Sequence, residues 1–303
     1  MNASAGRGRV AVLMGGPGEE REVSLRSGAN VADGLRTAGF EVTEIRVDTD
    51  ALPHLPEVDA VFIALHGRFG EDGQVQELLD ARGIPYTGPG AEASRLCFDK
   101  IATKRRLDDV GIPTPAWTAL DRADAPPPLA APLVVKPARQ GSSIGMTIVQ
   151  DLAAWPAALA EALRFPGPAL AEAFVPGREL TVGVVGDEAF PVVEIRPRQG
   201  VYDYTSKYTA GLTDYLAPAP LPPEVADRCR HWALETFRAT GCTGMARVDF
   251  RWPESGEPQV LEINTIPGFT ATSLLPKSAA AGGLGFADLC ARVVDLARAA
   301  VPV

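Results

Sequence analysis

The chain has 303 residues, 46% hydrophobic and 22% charged, with a formal net charge of -9, which allows two or three domains and a substantial core. The acidic balance argues against a nucleic-acid backbone or an anionic membrane surface as the main partner, though a local basic pocket for phosphate stays open. Cys97, Cys229, Cys242 and Cys290 follow no framework spacing, and no apolar run approaches the roughly 18 residues of a membrane helix, so the expectation is reduced, buried thiols in a cytoplasmic protein.

In chain order, residues 9–86 alternate strand and helix. Strands are expected over 9–14, 40–47, 59–65 and 84–86, with helices from about Glu22 and after Asp72, the pattern of an α/β unit with a mostly parallel sheet. One helix is expected over 93–107, ending at Gly111, and the proline-rich 125–132 reads as a surface loop before a strand over 132–136. Residues 180–185 and 190–195 read as a hairpin around Gly186 and Asp187. The stretch 197–219, with VYDYTSKYTAGLTDY, has little periodicity and the length of a lid. A final helix is expected over 286–300.

The most informative segment is MARVDFRWPESGEPQVLEINTIPGF, residues 245–269. Two strand-like runs, 246–252 and 258–264, flank the turn-rich PESGEP. Folded symmetrically about Ser255 and Gly256, the hairpin sets Asp249 across from Glu262 and Arg247 across from Asn264, with all four side chains on one face. Facing carboxylates repel, whereas oxygens converging from Asp249, Glu262 and Asn264 suit Mg²⁺. A solvated face with a surface Arg–Asp pair fits the same pattern, and a one-residue bulge would break the register.

Three loops carry weaker signals. Strand 9–14 runs into GGPGEEREVS, where Gly15, Gly16 and Gly18 could let backbone approach a ligand and Glu20 could hold an ammonium group. A tight turn with a helix-capping acid explains the same residues. ALHGRFGEDG places His66 and Glu71 at another strand end, where a structural histidine is the plainer alternative. VVKPARQGSSIGM puts Lys136 on an apolar strand before a Gly/Ser loop, 141–145, that could cover phosphates.

Together with FDK at 98–100 and YDYTSKY at 202–208, EREVS at 20–24, HGRFGEDG at 66–73, VKPARQGSSIG at 135–145 and RVDF with LEINTIPGFTATSLLP resemble, in order over nearly the whole chain, the D-alanine:D-alanine ligase family of the ATP-grasp superfamily. The resemblance implies an α/β ATP-grasp fold of three α/β domains: an N-terminal Rossmann-like (pre-ATP-grasp) domain, 1–91, a central domain, 92–176, and a C-terminal domain with lid and metal site, 177–303. It implies ATP-dependent ligation of two D-alanines to D-alanyl-D-alanine through an acyl phosphate, for peptidoglycan, with two Mg²⁺ (or Mn²⁺) ions. Its partners would be D-alanine and ATP, with no nucleic acid and no membrane, in a cytoplasmic homodimer.

Residue by residue, Lys100 and Lys136 resemble the lysines on the ATP phosphates, and Ser142, Ser143 and Ile144 the small loop folded over them. Glu172, Phe174 and Val175 resemble the adenine-edge segment, Glu179 the ribose-binding acid and Lys207 the lid lysine. Asp249, Glu262 and Asn264 resemble the metal ligands, and Arg247 with the Gly268 backbone the oxyanion stabilisers. Glu20 with His66 resembles the anchor of the first D-alanine, Ser142 and Tyr208 its hydrogen-bonded companions, and Ser273 with Leu274 the site of the second carboxylate. Gly18, Ala138, Gln140 and Ile266 depart from the expected pattern. Another ATP-grasp carboxylate–amine ligase, or a nucleotide-binding sensor without catalysis, stands as the alternative; the first would change the amino-acid pocket and the second would lack metal ligands or Arg247.

Overall fold

The computed structural model describes residues 7–198 and 211–300. Lys207 and Tyr208 lie outside the described residues, as does most of the expected lid. Three sheets follow one another along the chain.

The first sheet is parallel, in the order β2–β1–β3, from β1 (Arg9–Gly15), β2 (Glu41–Val47) and β3 (Ala60–Ile63). β1 is buried along nearly its whole length, as a central parallel strand covered on both faces must be. Helix α1 (Arg21–Thr37) covers one face, and helix α8 (Phe286–Ala299) packs onto it from the far end of the chain. The approach is close: a Cβ on Gly34 would fall 2.9 Å from Cys290 Sγ. Residues 84–86 contribute only an isolated bridge, Val61 to Tyr86, in place of the expected strand; Pro85 can donate no ladder hydrogen bond.

The expected helix 93–107 is two helices, α3 (Ala91–Phe98) and α4 (Lys100–Asp109), after the short α2 (Gln74–Asp80). Asp99 breaks it with extended backbone, and its carboxylate caps α4 by accepting from the N–H groups of Ile101 and Ala102. The break aims Lys100 at the start of α4 toward the interior.

A second, antiparallel sheet has the order β4–β7–β5–β6, from β4 (Trp117–Leu120), β5 (Leu133–Pro137), β6 (Thr147–Val149) and β7 (Ala169–Ala173), with α5 (Trp155–Ala162) on one side. The third sheet runs β11–β10–β8–β12–β13, from β8 (Arg178–Val185), β10 (Val193–Pro197), β11 (Thr213–Leu216), β12 (Met245–Trp252) and β13 (Gln259–Asn264). The two-residue β9 (Glu188–Ala189) closes the expected hairpin, pairing Val185 with Glu188 across a turn at Gly186 and Asp187. Helix α6 (Pro223–Ala239) packs Val225, Cys229, Ala233 and Phe237 onto this sheet, and α7 (Leu274–Ala281) packs on its other side. The four cysteines are free and buried. Among the described residues no helix is long and apolar enough to cross a membrane.

Candidate active site

The hairpin β12–β13 has the expected register. Arg247 stands opposite Asn264 and Asp249 opposite Glu262, and the irregularity comes one step later, between Asp249 and Phe250, so it leaves these pairs aligned. The face is not a solvated one. Asp249 is only 9% exposed and every neighbour holds it: Arg247 Nε and Nη2 at 2.8 and 2.7 Å, the Thr181 hydroxyl at 2.5 Å and Asn264 Nδ2 at 3.0 Å. The bidentate arginine is the strongest of these contacts in kind. Asn264 spends an amide N–H on Asp249, which leaves its carbonyl oxygen as the remaining donor atom of a side chain that lines the same cavity as Glu262. Lys100 Nζ lies 3.3 Å from Glu262 and donates to Gln140 O at 2.9 Å. Among the described residues no three His, Cys, Asp or Glu side chains converge. The set is two carboxylates and an amide oxygen, the hard-oxygen donors that suit Mg²⁺ with phosphate and water completing its shell.

Glu20 sits just before α1 but does not cap it. Its carboxylate instead accepts the hydroxyl of Ser142, 122 positions away, in a short hydrogen bond. Glycines cradle it: a Cβ on Gly67 would lie 2.7 Å, and one on Gly141 2.9 Å, from Glu20 Oε2. Gly15 to Gly18 take no part in the wall of the cavity; Arg21 closes that turn by donating to Gly16 O and Val47 O. The glycine run therefore shapes the strand-to-helix turn, and Glu20 is its contribution to the site. Ser142 and Ser143 both have left-handed backbone, φ +53° and +59°, a conformation uncommon for non-glycine residues that clusters at active sites and ligand clamps.

His66 is buried, with Nδ1 donating to Ile266 O at 3.0 Å and Nε2 3.1 Å from Ser27 Oγ, which accepts from the Phe269 N–H at 3.3 Å. The two links grip residues 266–269 on either side of Gly268. Burial pulls the imidazolium down, but the Glu71 carboxylate 3.6 Å away, Glu20 and the Ile266 carbonyl together outweigh it, so His66 holds its proton to higher pH than a free histidine. Ser273 follows in the same wall, with its Oγ accepting from Thr270 N at 3.0 Å.

One cavity of about 710 Å³ unites these groups; Glu20, His66, Ser142, Arg247, Gly268 and Ser273 all line it, as do Leu274, Lys100, Glu262 and Asn264. A second cavity adjoins it across Lys100, Ser142 and Glu262 and is walled by Lys136, Ser143, Glu172, Phe174, Val175 and Glu179. Every expected site residue that is described thus falls on one of the two. Lys136 Nζ donates to Glu172 at 2.5 Å, and Arg251 binds Glu179 at 3.2 Å while lying 5.6 Å above the Phe174 ring.

The chain matches two family models, described as "D-ala D-ala ligase C-terminus" over residues 107–295 and "D-ala D-ala ligase N-terminus" over 47–89. The chain belongs to the D-alanine–D-alanine ligase family. The D-alanine–D-alanine ligase of Syntrophotalea carbinolica is 48% identical over 292 residues, covering 94% of this chain and 95% of its own. Among solved structures, the ligase of Bacillus anthracis complexed with ATP is 32% identical, with a TM-score of 0.84 over 95% of this chain and 96% of that one. The VanG D-Ala:D-Ser ligase of Enterococcus faecalis is 29% identical, with a TM-score of 0.85 over 95% and 99%.

The four departures from the ligase family's pattern are absorbed locally. A side chain at Gly18 would meet nothing within 4 Å, Ala138 packs with Ile101 and Leu170, Gln140 uses its backbone oxygen, and Ile266 is core. Sequence reasoning missed Ser27, Thr181 and Lys104, all buried polar partners of the residues it chose. Only the helical offset of Ser27 from Glu20, two turns along one face, could have pointed to any of them.

Proposed function

We propose that the chain uses ATP to join two D-alanines into D-alanyl-D-alanine, the dipeptide unit of peptidoglycan precursors. The observation that carries this reading is the convergence of Glu20, from the start of α1, and Arg247, from β12, on one cavity that borders a second, lysine-lined one. An amino acid fits between them, ammonium toward Glu20 and carboxylate toward Arg247.

Joining a carboxylate to an amine requires activating a poor electrophile. Lys100 and Lys136 hold the phosphates of ATP, Ser142 and Ser143 cover them, and Glu172, Val175 and Phe174 receive the adenine while Glu179 takes the ribose. Asp249, Glu262 and Asn264 would hold two Mg²⁺ (or Mn²⁺) ions, which supply charge neutralisation to the transferring phosphoryl group. The first D-alanine carboxylate attacks the terminal phosphate, giving an acyl phosphate and ADP. The amine of the second D-alanine, its carboxylate held by Ser273 and the Leu274 N–H at the start of α7, then displaces phosphate. Arg247 and the Gly268 N–H face the oxygen on which charge develops, where one such donor is worth about 10²- to 10³-fold in rate. Lys207 and Tyr208, outside the described residues, keep their proposed places in a lid that excludes water.

Each sheet falls within one of the proposed domains, 1–91, 92–176 and 177–303, which supports those boundaries. A cytoplasmic homodimer is proposed on the family likeness. The function is tested by supplying ATP with D-alanine, L-alanine or D-lactate and identifying products by mass spectrometry. D-alanyl-D-alanine from D-alanine alone is expected; ATP turnover without dipeptide overturns the reading.

A further inference from the structure

Lys104 has no part in the chemistry described so far, yet it is fully buried on α4. Its Nζ lies 2.9 Å from Glu172 Oε2 and donates to Thr114 Oγ1 at 2.6 Å, while the Thr114 hydroxyl donates to Val260 O at 2.7 Å. That chain of contacts ties the ammonium to β13 and gives it nowhere to go. Glu172 has a second lysine on its other oxygen, Lys136 at 2.5 Å, but that side chain opens onto the cavity proposed for ATP. One carboxylate therefore has one enclosed cation and one that faces the cavity.

The two cannot serve the same end. When phosphate draws Lys136 away, Glu172 loses a partner while still buried, and a buried carboxylate without a counter-charge protonates or costs several kcal/mol. Glu172 Oε2 is, besides, a buried atom whose charge partner is the Lys104 ammonium. Glu172 itself lines that cavity, so the oxygen that Lys136 leaves can accept an N–H from the cavity side.

We propose that Lys104 is the fixed counter-charge that keeps the Glu172 carboxylate charged and aimed while Lys136 engages phosphate, which makes it a positioning residue for recognition of the 6-amino group of adenine. The inference rests on the placement of ATP given above. Its electrostatic side is consistent: burial pushes the Glu172 carboxyl up, but Lys104 first and Lys136 second bring it down to about 2. The selectivity follows from chemistry, since a carboxylate accepts from an exocyclic amine and offers nothing to a purine that lacks one.

The test compares ATP with purine riboside 5'-triphosphate, which has hydrogen in place of the 6-amino group, by kcat/KM at saturating D-alanine. A hydrogen bond to a charged acceptor predicts that the wild-type enzyme prefers ATP by about tenfold or more. Lys104→Met, similar in length and uncharged, is expected to bring that preference close to one, with the KM for D-alanine within about twofold of wild type. A preference that survives in folded Lys104→Met overturns the proposal and leaves Lys104 a packing residue. Should Lys104→Met not fold, Thr114→Val decides: it releases the Lys104 tether at little change in volume, and is expected to reduce the preference measurably; an unchanged preference overturns the proposal. Glu172→Gln separates the two levels of the argument. If it retains the full preference for ATP, or the wild type has none, the adenine placement itself fails; if it loses the preference while the Lys104 and Thr114 variants keep it, only the role of Lys104 fails.

Discussion

Gly141→Ala offers a sharp test because it adds one methyl group beside the residue proposed to hold the first D-alanine. The new Cβ would sit 2.9 Å from Glu20 Oε2, where ordinary contact begins at 3.4 Å, so the carboxylate must move by about 0.5 Å. The atom that gives way is the tip of a side chain, and Gly141 is not among the glycines with positive φ, so neither backbone strain nor core disruption opposes folding. Stability should change by no more than about 0.5 kcal/mol. Function should not escape so lightly, since Glu20 also holds Ser142. A displacement of about 1 Å costs on the order of 10²-fold in positioning, and half of it about tenfold. Steady-state kinetics should therefore show about a tenfold fall in kcat/KM for D-alanine, with ATP binding by calorimetry and the melting temperature nearly unchanged. A folded Gly141→Ala enzyme with kcat/KM for D-alanine within twofold of wild type would refute the proposed role of Glu20.

Other substitutions separate the remaining roles. Glu262→Gln should lower turnover by at least about 100-fold in a phosphate-release assay while leaving the melting temperature intact, because it removes one of two carboxylates proposed for metal; wild-type rates at ordinary Mg²⁺ would refute that. Glu20→Gln should mainly weaken D-alanine binding, whereas Arg247→Ala should chiefly lower kcat, by about 10²-fold or more, because it removes an oxyanion contact and also unlatches Asp249; equal KM effects in both would contradict the division. The Glu172 carboxyl, at about 2 against the usual 4.5, contributes stability that is complete above pH 4.5 and is lost as pH falls toward 2. Urea unfolding should then find wild type and Glu172→Gln closer by about 2 kcal/mol at pH 3 than at pH 6, and a constant gap would show that the carboxylate is not held by its lysines. With equal D-alanine and D-lactate at neutral pH, the amide should predominate, in keeping with Tyr208; a predominant ester would overturn the choice of nucleophile.

The register of the β12–β13 hairpin was legible in the sequence because a period of two and one turn fix which side chains meet. The register of Asp249 with Glu262 needed nothing beyond the loop's midpoint, and the irregularity that would have broken it falls one residue too late to do so. The parallel sheet was legible for a similar reason, since β1 and β3 are short apolar runs that each lead into a glycine-containing loop. What stayed hidden depends on neighbours distant in sequence. Nothing in EREVS tells that Glu20 will take Ser142 rather than cap α1, and nothing in KIATKRRLDD marks Lys104 as the one cation of its helix that is wholly buried. Asp99 hid the break between α3 and α4, because the apolar pattern runs through it; its capping bonds to Ile101 and Ala102 overrode the periodicity. Helix α6 went unread although Pro223 and the spacing of Val225, Cys229, Ala233 and Phe237 carry both a start signal and a helical face.

Transfer of oxygen from substrate to phosphate tests the central claim most directly. If the first D-alanine is activated as an acyl phosphate, one of its carboxylate oxygens must leave with the phosphate when the second amine attacks. D-alanine labelled with ¹⁸O in both carboxylate oxygens should yield inorganic phosphate carrying one ¹⁸O for each D-alanyl-D-alanine formed, read by mass spectrometry of both products. Dipeptide formed together with unlabelled phosphate would contradict the account, because the carboxylate at Arg247 would then have been activated by some route other than attack on ATP.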